Sequence, residues 1–386
     1  MNGEIKKAPE PESEPSVLLN QQETDFLNYL RKETSEDFVD VAYRFYSLLA
    51  PAYPDLKNPF ELDYKEAAQR LDPRKGGTLE HHQGEKITDS ALIKAVFDTA
   101  AELGFLSQEV LEPRNEMEEW LGIVSEPIKV DNPVEAVVVP GGASDTIIKR
   151  LYHALNAIHS GAVKTDKLIL LTGHRPLRPD KSENNILRDK GYTNEGTTEF
   201  DLAKNAAKDF INVDFEQSTT ETRPIVFNGH TYQVEIITLK KKIAGQEKEI
   251  VLINAPFDQN RRRPDGTPVD RAITEETFKA LQEYLGGFDS SKELYLVSHD
   301  IWQLGQNLFA RETLEKNIGR KITGSGPRLI DRVQKNEAGE LTLRKPDDVL
   351  AEMNKYFNIS RRFWETVKLS EYEAQLTDNL RGTNKD

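Results

Sequence analysis

From residue 134 onward, short apolar runs alternate with segments whose apolar residues recur every three or four positions. The apolar runs predict strands at Val134–Val139, Lys167–Thr172, Glu249–Asn254 and Glu293–Ser298. The three- and four-residue spacing predicts helices at Asp145–His159, Glu199–Phe210, Thr274–Leu285 and Trp302–Leu314. Almost continuous apolar strands need cover on both faces, so the pattern indicates an α/β fold with a mainly parallel sheet.

A β-hairpin interrupts this alternation. Apolar segments at Pro224–Phe227 and Tyr232–Leu239 flank Asn228-Gly229, a dipeptide that two-residue hairpin turns favour. We interpret residues 223–248 as a hairpin that is inserted into the sheet or extends its edge.

The remaining sequence predicts a tail and further helices. Residues 1–16 are rich in proline and glutamate, which is typical of a disordered segment. Residues 17–130 are predicted to form a helical N-terminal subdomain that includes a helix starting near Ser90. Residues 131–318 would hold the α/β domain, and residues 319–386 a helical extension with helices at Arg328–Val333 and Asp347–Tyr356.

Composition narrows the class of protein. The 386 residues carry a net charge of −14, which argues against a general binder of nucleic acid or of anionic membranes. The absence of cysteine excludes disulfides, thiolate metal sites and cysteine nucleophiles. No apolar run approaches the roughly 20 residues of a membrane helix, and the N-terminus lacks the apolar core of a signal peptide. We therefore expect a cytoplasmic protein without membrane or nucleic-acid partners.

The first predicted strand leads into the turn Gly141-Gly142, and Ser144 or Asp145 follows at the N-cap position of a helix. Such a turn places free backbone N–H groups and the positive end of a helix dipole at the carboxyl edge of the sheet. This arrangement predicts an anion-binding site. The spacing matches neither the dinucleotide motif nor the Walker motif, so it does not name the ligand.

The other strand ends carry polar residues that we expect to meet at the same edge. Thr172-Gly173 is followed by His174-Arg175, where the arginine can clamp a phosphate or carboxylate and the histidine can transfer a proton. A cationic run at Arg261–Arg263 follows the third strand. The His174-Arg175 segment is equally consistent with a solvated loop, and cationic runs such as Arg261–Arg263 are more often simply solvated.

The last predicted strand ends in Ser298-His299-Asp300, which contains the residue types of a hydrolase triad. Adjacent residues are poorly placed for the relay, and no GxSxG turn is present, so a serine hydrolase is disfavoured. The pair His81-His82 lacks the spacing of a metal site, and we predict no metal ligands. A metal-dependent hydrolase is accordingly the weakest of the alternatives.

The order of these features resembles the YdcF-like family, which includes the SanA and ElyC envelope factors. The resemblance rests on Gly141-Gly142, Arg150 with Ala154, Thr172-Gly173-His174, Glu199 before Ala203, Arg271 before Thr274–Glu276, and Leu296–Ser298. It implies a Rossmann-like three-layer α/β/α domain with a polar pocket above the sheet. It also implies S-adenosylmethionine as a cofactor or ligand, or a role in cell-envelope polysaccharide metabolism.

We therefore expect an anionic small molecule, nucleotide-like or phosphorylated, at the strand ends. Its predicted contacts are Gly141, Gly142, Ser144, Asp145, Arg150, Thr172, Gly173, His174, Arg175, Arg263, Arg271, Thr274 and Ser298. Glu199, Glu276 and His299 are the candidates for moving protons or holding a ribose. The alternative is a non-catalytic module whose N-terminal helices bind a protein partner.

Overall fold

The computed structural model describes residues 90–142, 146–177, 198–262, 266, 272–346, 348–350 and 352–353. A seven-stranded β-sheet forms the centre of this part of the chain. The longer helices are α1 (Ser90–Glu102), α2 (Glu116–Leu121), α3 (Thr146–His159), α4 (Glu199–Ile211), α5 (Thr274–Leu285) and α6 (Asp300–Ala310), and shorter helical turns lie at Phe215–Gln217 and Lys316–Ile318. The strands are β1 (Ile123–Val124), β2 (Ala136–Pro140), β3 (Lys167–Gly173), β4 (Thr219–Phe227), β5 (His230–Ile243), β6 (Gln246–Ala255), β7 (Glu293–Leu296), β8 (Lys321–Thr323), β9 (Arg328–Leu329), β10 (Val333–Lys335) and β11 (Leu341–Leu343). Within the described residues, no helix combines the length and apolarity needed to cross a bilayer.

The strands of the main sheet lie in the order β4-β5-β6-β3-β2-β7-β8. The five from β6 to β8 are parallel, whereas β4 and β5 join at the β6 edge as an antiparallel pair. From β2 in the middle, the chain adds β3 and β6 on one side, and then β7 and β8 on the other. The predicted α/β fold with a mainly parallel sheet is confirmed.

Both faces of the sheet are apolar, and helices cover each of them. Val137 and Val139 of β2 pack in one core with α3 and α4, whereas Ala136 and Val138 face a second core with α5. Alternate residues of a strand point to opposite faces, so β2 must be apolar at every position, as it is. The four predicted helices that follow the strands are present, the last of them starting at Asp300 and continuing through a π-helical turn at Arg311–Glu315.

The predicted hairpin is present and extends the edge of the sheet. Its turn holds Asn228 and Gly229 at positive φ, 49° and 80°, as a two-residue hairpin turn requires. Asn228 Nδ2 donates to Asp258 Oδ2 at 2.7 Å, and the Tyr232 hydroxyl donates to Asp258 Oδ1 at 2.9 Å. These bonds fix the hairpin tip against the loop that follows β6.

The helix predicted near Ser90 is α1, and the other helices expected from residue 17 to 89 lie outside the described residues. Immediately before the α/β region, β1 is a short strand rather than a helix, and it pairs with β9. Leu121 and Ile123 are buried in the same core as α3. The α/β core therefore begins before residue 131.

The helix predicted at Arg328–Val333 is wrong. Arg328 and Leu329 pair with Val124 and Ile123, and Val333 starts the small β10–β11 ladder. Residues after 318 also complete the main sheet, because β8 pairs in parallel with β7. Residues 348–350 are helical, as expected within Asp347–Tyr356, most of which lies outside the described residues.

A buried chain of polar side chains joins α3, β7 and two loops. His153 of α3 lies 2.9 Å from Ser125 Oγ through Nδ1 and 2.9 Å from Ser325 Oγ through Nε2. Ser325 also bonds the hydroxyl of Tyr295 in β7. With both ring nitrogens engaged and no exposed surface, His153 is a satisfied core residue.

Candidate functional site

A cavity of about 400 Å³ lies at the carboxyl edge of the parallel strands, beyond β2 and β3. The described residues that line it are Pro140, Gly141, Gly142, Thr146, Arg150, Leu171, Gly173, Arg175, Glu199, Ala272, Ile273, Thr274, Thr277, Phe278, Trp302 and Gln306. Its volume falls within the range of small-molecule sites. The first turns of α3 and α5 reach it, so the positive ends of two helix dipoles face the same space.

The glycine turn forms one wall of the cavity. Gly141 N donates to Leu171 O at 2.6 Å, and a Cβ on Gly141 would lie 2.6 Å from Glu199 Oε1. A Cβ on Gly142 would lie 2.3 Å from Thr146 Cγ2. An added Cβ at either glycine would meet the side chain of Glu199 or Thr146, so a larger residue would require these side chains to move. The Glu199 carboxyl group lies directly against the turn.

Arg150 lies beneath this turn and is only 3% exposed. Its Nη1 donates to Pro140 O at 2.9 Å and to Gly141 O at 2.6 Å, and Nη2 donates to Ser298 Oγ at 3.3 Å. Nε has no hydrogen-bond partner among the described residues. Burial lowers the pKa of Arg150 to about 10, against the opposing field of Glu199, so the guanidinium stays charged at neutral pH.

Glu199 adds an acidic side chain to the cavity lining, and Arg175 adds a basic one. Glu199 N donates to Arg175 O at 2.9 Å, which joins the start of α4 to the loop after β3. Thr198 caps α4 through Asp201 N, and Asp201 in turn accepts from Thr198 N. This capping box fixes the first turn of α4 and with it the position of Glu199.

The start of α5 forms the opposite part of the lining. Thr274 lies there, as predicted, and Gly173 packs so closely that an added Cβ would lie 2.5 Å from Ala272 Cβ. Glu276 is engaged elsewhere: Oε2 accepts from Ile273 N at 2.8 Å, and Oε1 accepts from Arg261 Nη1 at 2.8 Å. Its contacts hold the helix start in place, and it is not among the described residues that line the cavity.

Helix α6 contributes Trp302 and Gln306, one helical turn apart. The Oε1 atom of Gln306 is buried without a hydrogen-bond partner among the described residues. Trp302 lies edge-on to His299, with 5.2 Å between ring centroids. The sequence had not singled out either lining residue, although their i, i+4 spacing on a helix after a predicted strand was a usable signal.

Several predicted site residues lie near the cavity but outside the described lining. Thr172 is buried and donates its hydroxyl to Ile253 O, and the exposed His174 stacks on Phe257 instead. Ser298 reaches the site only through Arg150. His299 is buried, and burial together with Arg150 holds its pKa well below the ordinary value.

A glycine segment explains why the end of β7 does not open into the cavity. A Cβ on Gly324 would lie 2.0 Å from Leu296 O, and one on Gly326 would lie 1.0 Å from Ser298 O. The chain from Gly324 to Gly326 therefore runs directly against the backbone where β7 ends. Sequence alone could not place this long-range contact.

Ser144, Asp145, Arg263 and Arg271, together with the pair His81-His82, lie outside the described residues. Among the residues that the structure describes, no group of three or more histidine or acidic side chains is arranged to hold a metal ion. No protein-family model, curated protein or solved structure matches the chain.

Proposed function

We propose that the cavity beyond β2 and β3 binds an anionic small molecule, nucleotide-like or phosphorylated. The observation that carries the proposal is the buried guanidinium of Arg150, which lines the cavity and leaves Nε without a partner among the described residues. Its described hydrogen-bond acceptors are two carbonyl oxygens and a hydroxyl, none of which carries a charge. The carboxyl group of Glu199 offsets only part of the desolvation of this cation, and an anion in the cavity would compensate it further.

The backbone around Arg150 supports an anion rather than a neutral ligand. The first turns of α3 and α5 lie at the cavity, and the start of a helix offers N–H groups that have no acceptor within the helix, together with its positive dipole end. Arg175 adds a second cation at its rim. Phosphate or carboxylate groups fit this combination of forked and backbone donors.

We further propose a Rossmann-like architecture for the parallel part of the sheet. Numbered by their own order along the chain, the five parallel strands follow the order 3-2-1-4-5. That order is characteristic of doubly wound nucleotide-binding folds, where ligands sit at the carboxyl edge. It also agrees with the resemblance to the YdcF-like family and keeps S-adenosylmethionine among the probes to examine.

Glu199 is the residue best placed for a proton-transfer role or for holding a ligand hydroxyl. Of the three acidic or imidazole candidates from the sequence, it alone is among the described residues that line the cavity. It is 8% exposed, and its carboxyl group lies against Gly141. A carboxylate beside an anion site can accept from a ribose or sugar hydroxyl.

Calorimetry on the full chain tests the proposal with inorganic pyrophosphate, ribose 5-phosphate, AMP and S-adenosylmethionine as probes. We expect at least one phosphorylated probe to bind, and Arg175→Gln to weaken that binding about tenfold through loss of a charge-assisted contact. Arg223→Gln is the matched control, because Arg223 lies on the edge strand β4, outside the cavity lining. Absence of binding by every probe, or equal affinities for wild type and Arg175→Gln, would show the proposal to be wrong.

A further inference from the structure

The two-residue turn of the hairpin carries a dipeptide that can modify itself. Asn228 and Gly229 are both exposed. In an Asn-Gly pair, the backbone nitrogen of the glycine can attack Cγ of the asparagine side chain, and the side-chain nitrogen leaves as ammonia with the proton of the glycine amide. Water then opens the resulting succinimide to aspartate or isoaspartate. Glycine favours the ring closure because it has no Cβ to hinder the approach of its nitrogen.

The two reacting groups differ in how firmly they are held. Gly229 has open space where a Cβ would lie, and its N–H has no backbone acceptor among the described residues. The side chain of Asn228, by contrast, is engaged, because Nδ2 donates to Asp258 Oδ2 at 2.7 Å. Ring closure requires this side chain to turn toward Gly229 N and to leave Asp258. We therefore expect the reaction to proceed from a hairpin tip that has opened locally.

Asp258 is a charged and buried anchor for the tip. It is 3% exposed and also accepts from the Tyr232 hydroxyl at 2.9 Å and from Asn260 N at 2.9 Å. The hydrogen bond from Asn228, ahead of those from Asn260 and Tyr232, lowers the pKa of Asp258, so its carboxyl group is ionised at neutral pH. A hydrogen bond to an ionised acceptor is stronger than one between neutral groups.

Conversion of Asn228 would turn this attraction into a repulsion. The product carries a carboxylate where the amide was, so it loses the donor and places a second negative charge against Asp258. Two carboxylates at hydrogen-bond distance in a buried site cannot both stay ionised without a large cost in free energy. A converted tip would therefore lose its contact with the loop that follows β6.

From these observations we propose that Asn228-Gly229 is a modification site at which deamidation, limited by the hydrogen bond to Asp258, releases the hairpin tip from the loop after β6. The reaction needs no co-reactant other than water. It is independent of the anion proposed for the cavity, and its test uses no ligand.

Peptide mass spectrometry on the full chain tests the control by Asp258. Asn2-Gly3 is the same dipeptide in the same chain and serves as the internal reference. The ratio of the deamidation rate at Asn228 to that at Asn2 is measured in urea and in buffer, and we expect the ratio to be about tenfold lower in buffer, where the tip is closed. Asp258→Ala should raise the rate at Asn228 in buffer about tenfold and leave Asn2 unchanged.

Hydrogen exchange of the backbone amides tests the consequence for the hairpin. Asn228→Asp places the product carboxylate at the turn directly, and it should speed amide exchange there about tenfold through loss of a charge-assisted contact. Asn336→Asp is the matched control, because Asn336 donates to Glu340 Oε2 in the separate turn between β10 and β11. This control should leave exchange at the β4–β5 turn unchanged.

The outcomes are decisive even if Asp258→Ala does not fold, because the wild-type ratio and Asn228→Asp do not depend on it. Equal ratios in urea and in buffer, or equal rates at Asn228 in wild type and folded Asp258→Ala, overturn the control by Asp258. Asn228 that stays intact in folded Asp258→Ala while Asn2 converts overturns the modification site. Unchanged turn exchange in Asn228→Asp overturns release of the tip. A lower ratio in buffer together with faster turn exchange in Asn228→Asp alone supports the proposal.

Discussion

Acidification should destabilise the protein through His153, the buried histidine of α3. Burial lowers the pKa of His153 from 6.5 to about 3 in the folded protein. Between these values the unfolded chain binds a proton at this position that the folded protein does not. The free energy of unfolding therefore falls as the pH falls below 6.5, by about 1.4 kcal/mol per pH unit. From pH 7 to pH 5 the loss from this one residue amounts to about 2 kcal/mol.

The substitution His153→Gln isolates this effect, because glutamine keeps a donor and an acceptor for Ser125 and Ser325 but does not titrate. The variant has its own stability at pH 7, and the informative quantity is how its difference from wild type changes with pH. Burial also lowers the pKa of His299, so this residue too makes the folded protein more stable at higher pH. Asp300 has the opposite effect, since burial raises its pKa to about 6. Both residues are present in each protein, so their contributions cancel in the comparison.

Urea denaturation followed by circular dichroism at pH 7, 6 and 5 measures the difference. We expect the free energy of unfolding of wild type to fall by about 2 kcal/mol more than that of His153→Gln across this range. The control is His159→Gln, a substitution of an exposed histidine on the same helix, which should follow wild type. A difference between wild type and His153→Gln that stays constant from pH 7 to pH 5 would refute the reasoning.

Urea denaturation also tests two further substitutions, one at the cavity lining and one at the anchor of the hairpin turn. Gly173→Ala should lower the free energy of unfolding by about 1–3 kcal/mol through overpacking against Ala272, whereas Gly287→Ala, with open space around the new methyl group, should not. Equal losses in both would contradict the packing argument. Asp258→Ala should cost about 1–3 kcal/mol and speed amide exchange at the hairpin turn, because its partners lose their acceptor. Asp166→Ala, at a fully exposed side chain, is the control, and unchanged turn exchange in Asp258→Ala would count against anchoring of the hairpin.

The local pattern of apolar residues was sufficient to predict most helices and strands of the α/β core. The apolar runs and the helical spacing after them predicted four of the five parallel strands and α3 to α6, because burial on two faces leaves a strong signal in sequence. The fifth strand, β8, lies in the segment that was expected to be a helical extension. The same spacing rule gave the wrong prediction of a helix at Arg328–Val333. Leu329 and Val333 are spaced as in a helix, but Arg328 and Leu329 form a strand because they pair with β1. Pairing with a strand that is distant in sequence cannot be recognised from the neighbouring residues alone.

The candidate site was predictable only in part. Gly141, Arg175 and Glu199 lie at strand ends and helix starts, which topology brings to one edge, and all three line the cavity. Trp302 and Gln306 also line the cavity, although the sequence analysis had not singled them out. Ser298 and His299 were expected at the cavity, but the chain at Gly324–Gly326 lies against the end of β7. That contact joins residues far apart in sequence.

The packing of the Gly324–Gly326 segment limits how the protein can be divided. A fragment that stopped at residue 318 would remove β8 and turn β7 into an open edge strand whose last three residues are buried and apolar. It would also remove Ser325, which hydrogen-bonds to His153 and Tyr295, and would leave these polar groups in the core without that partner. Such an edge invites strand pairing between molecules and therefore aggregation. Recombinant pieces of the α/β unit should accordingly run from before α2 to beyond β11, so that the β1–β9 and β10–β11 pairs stay intact.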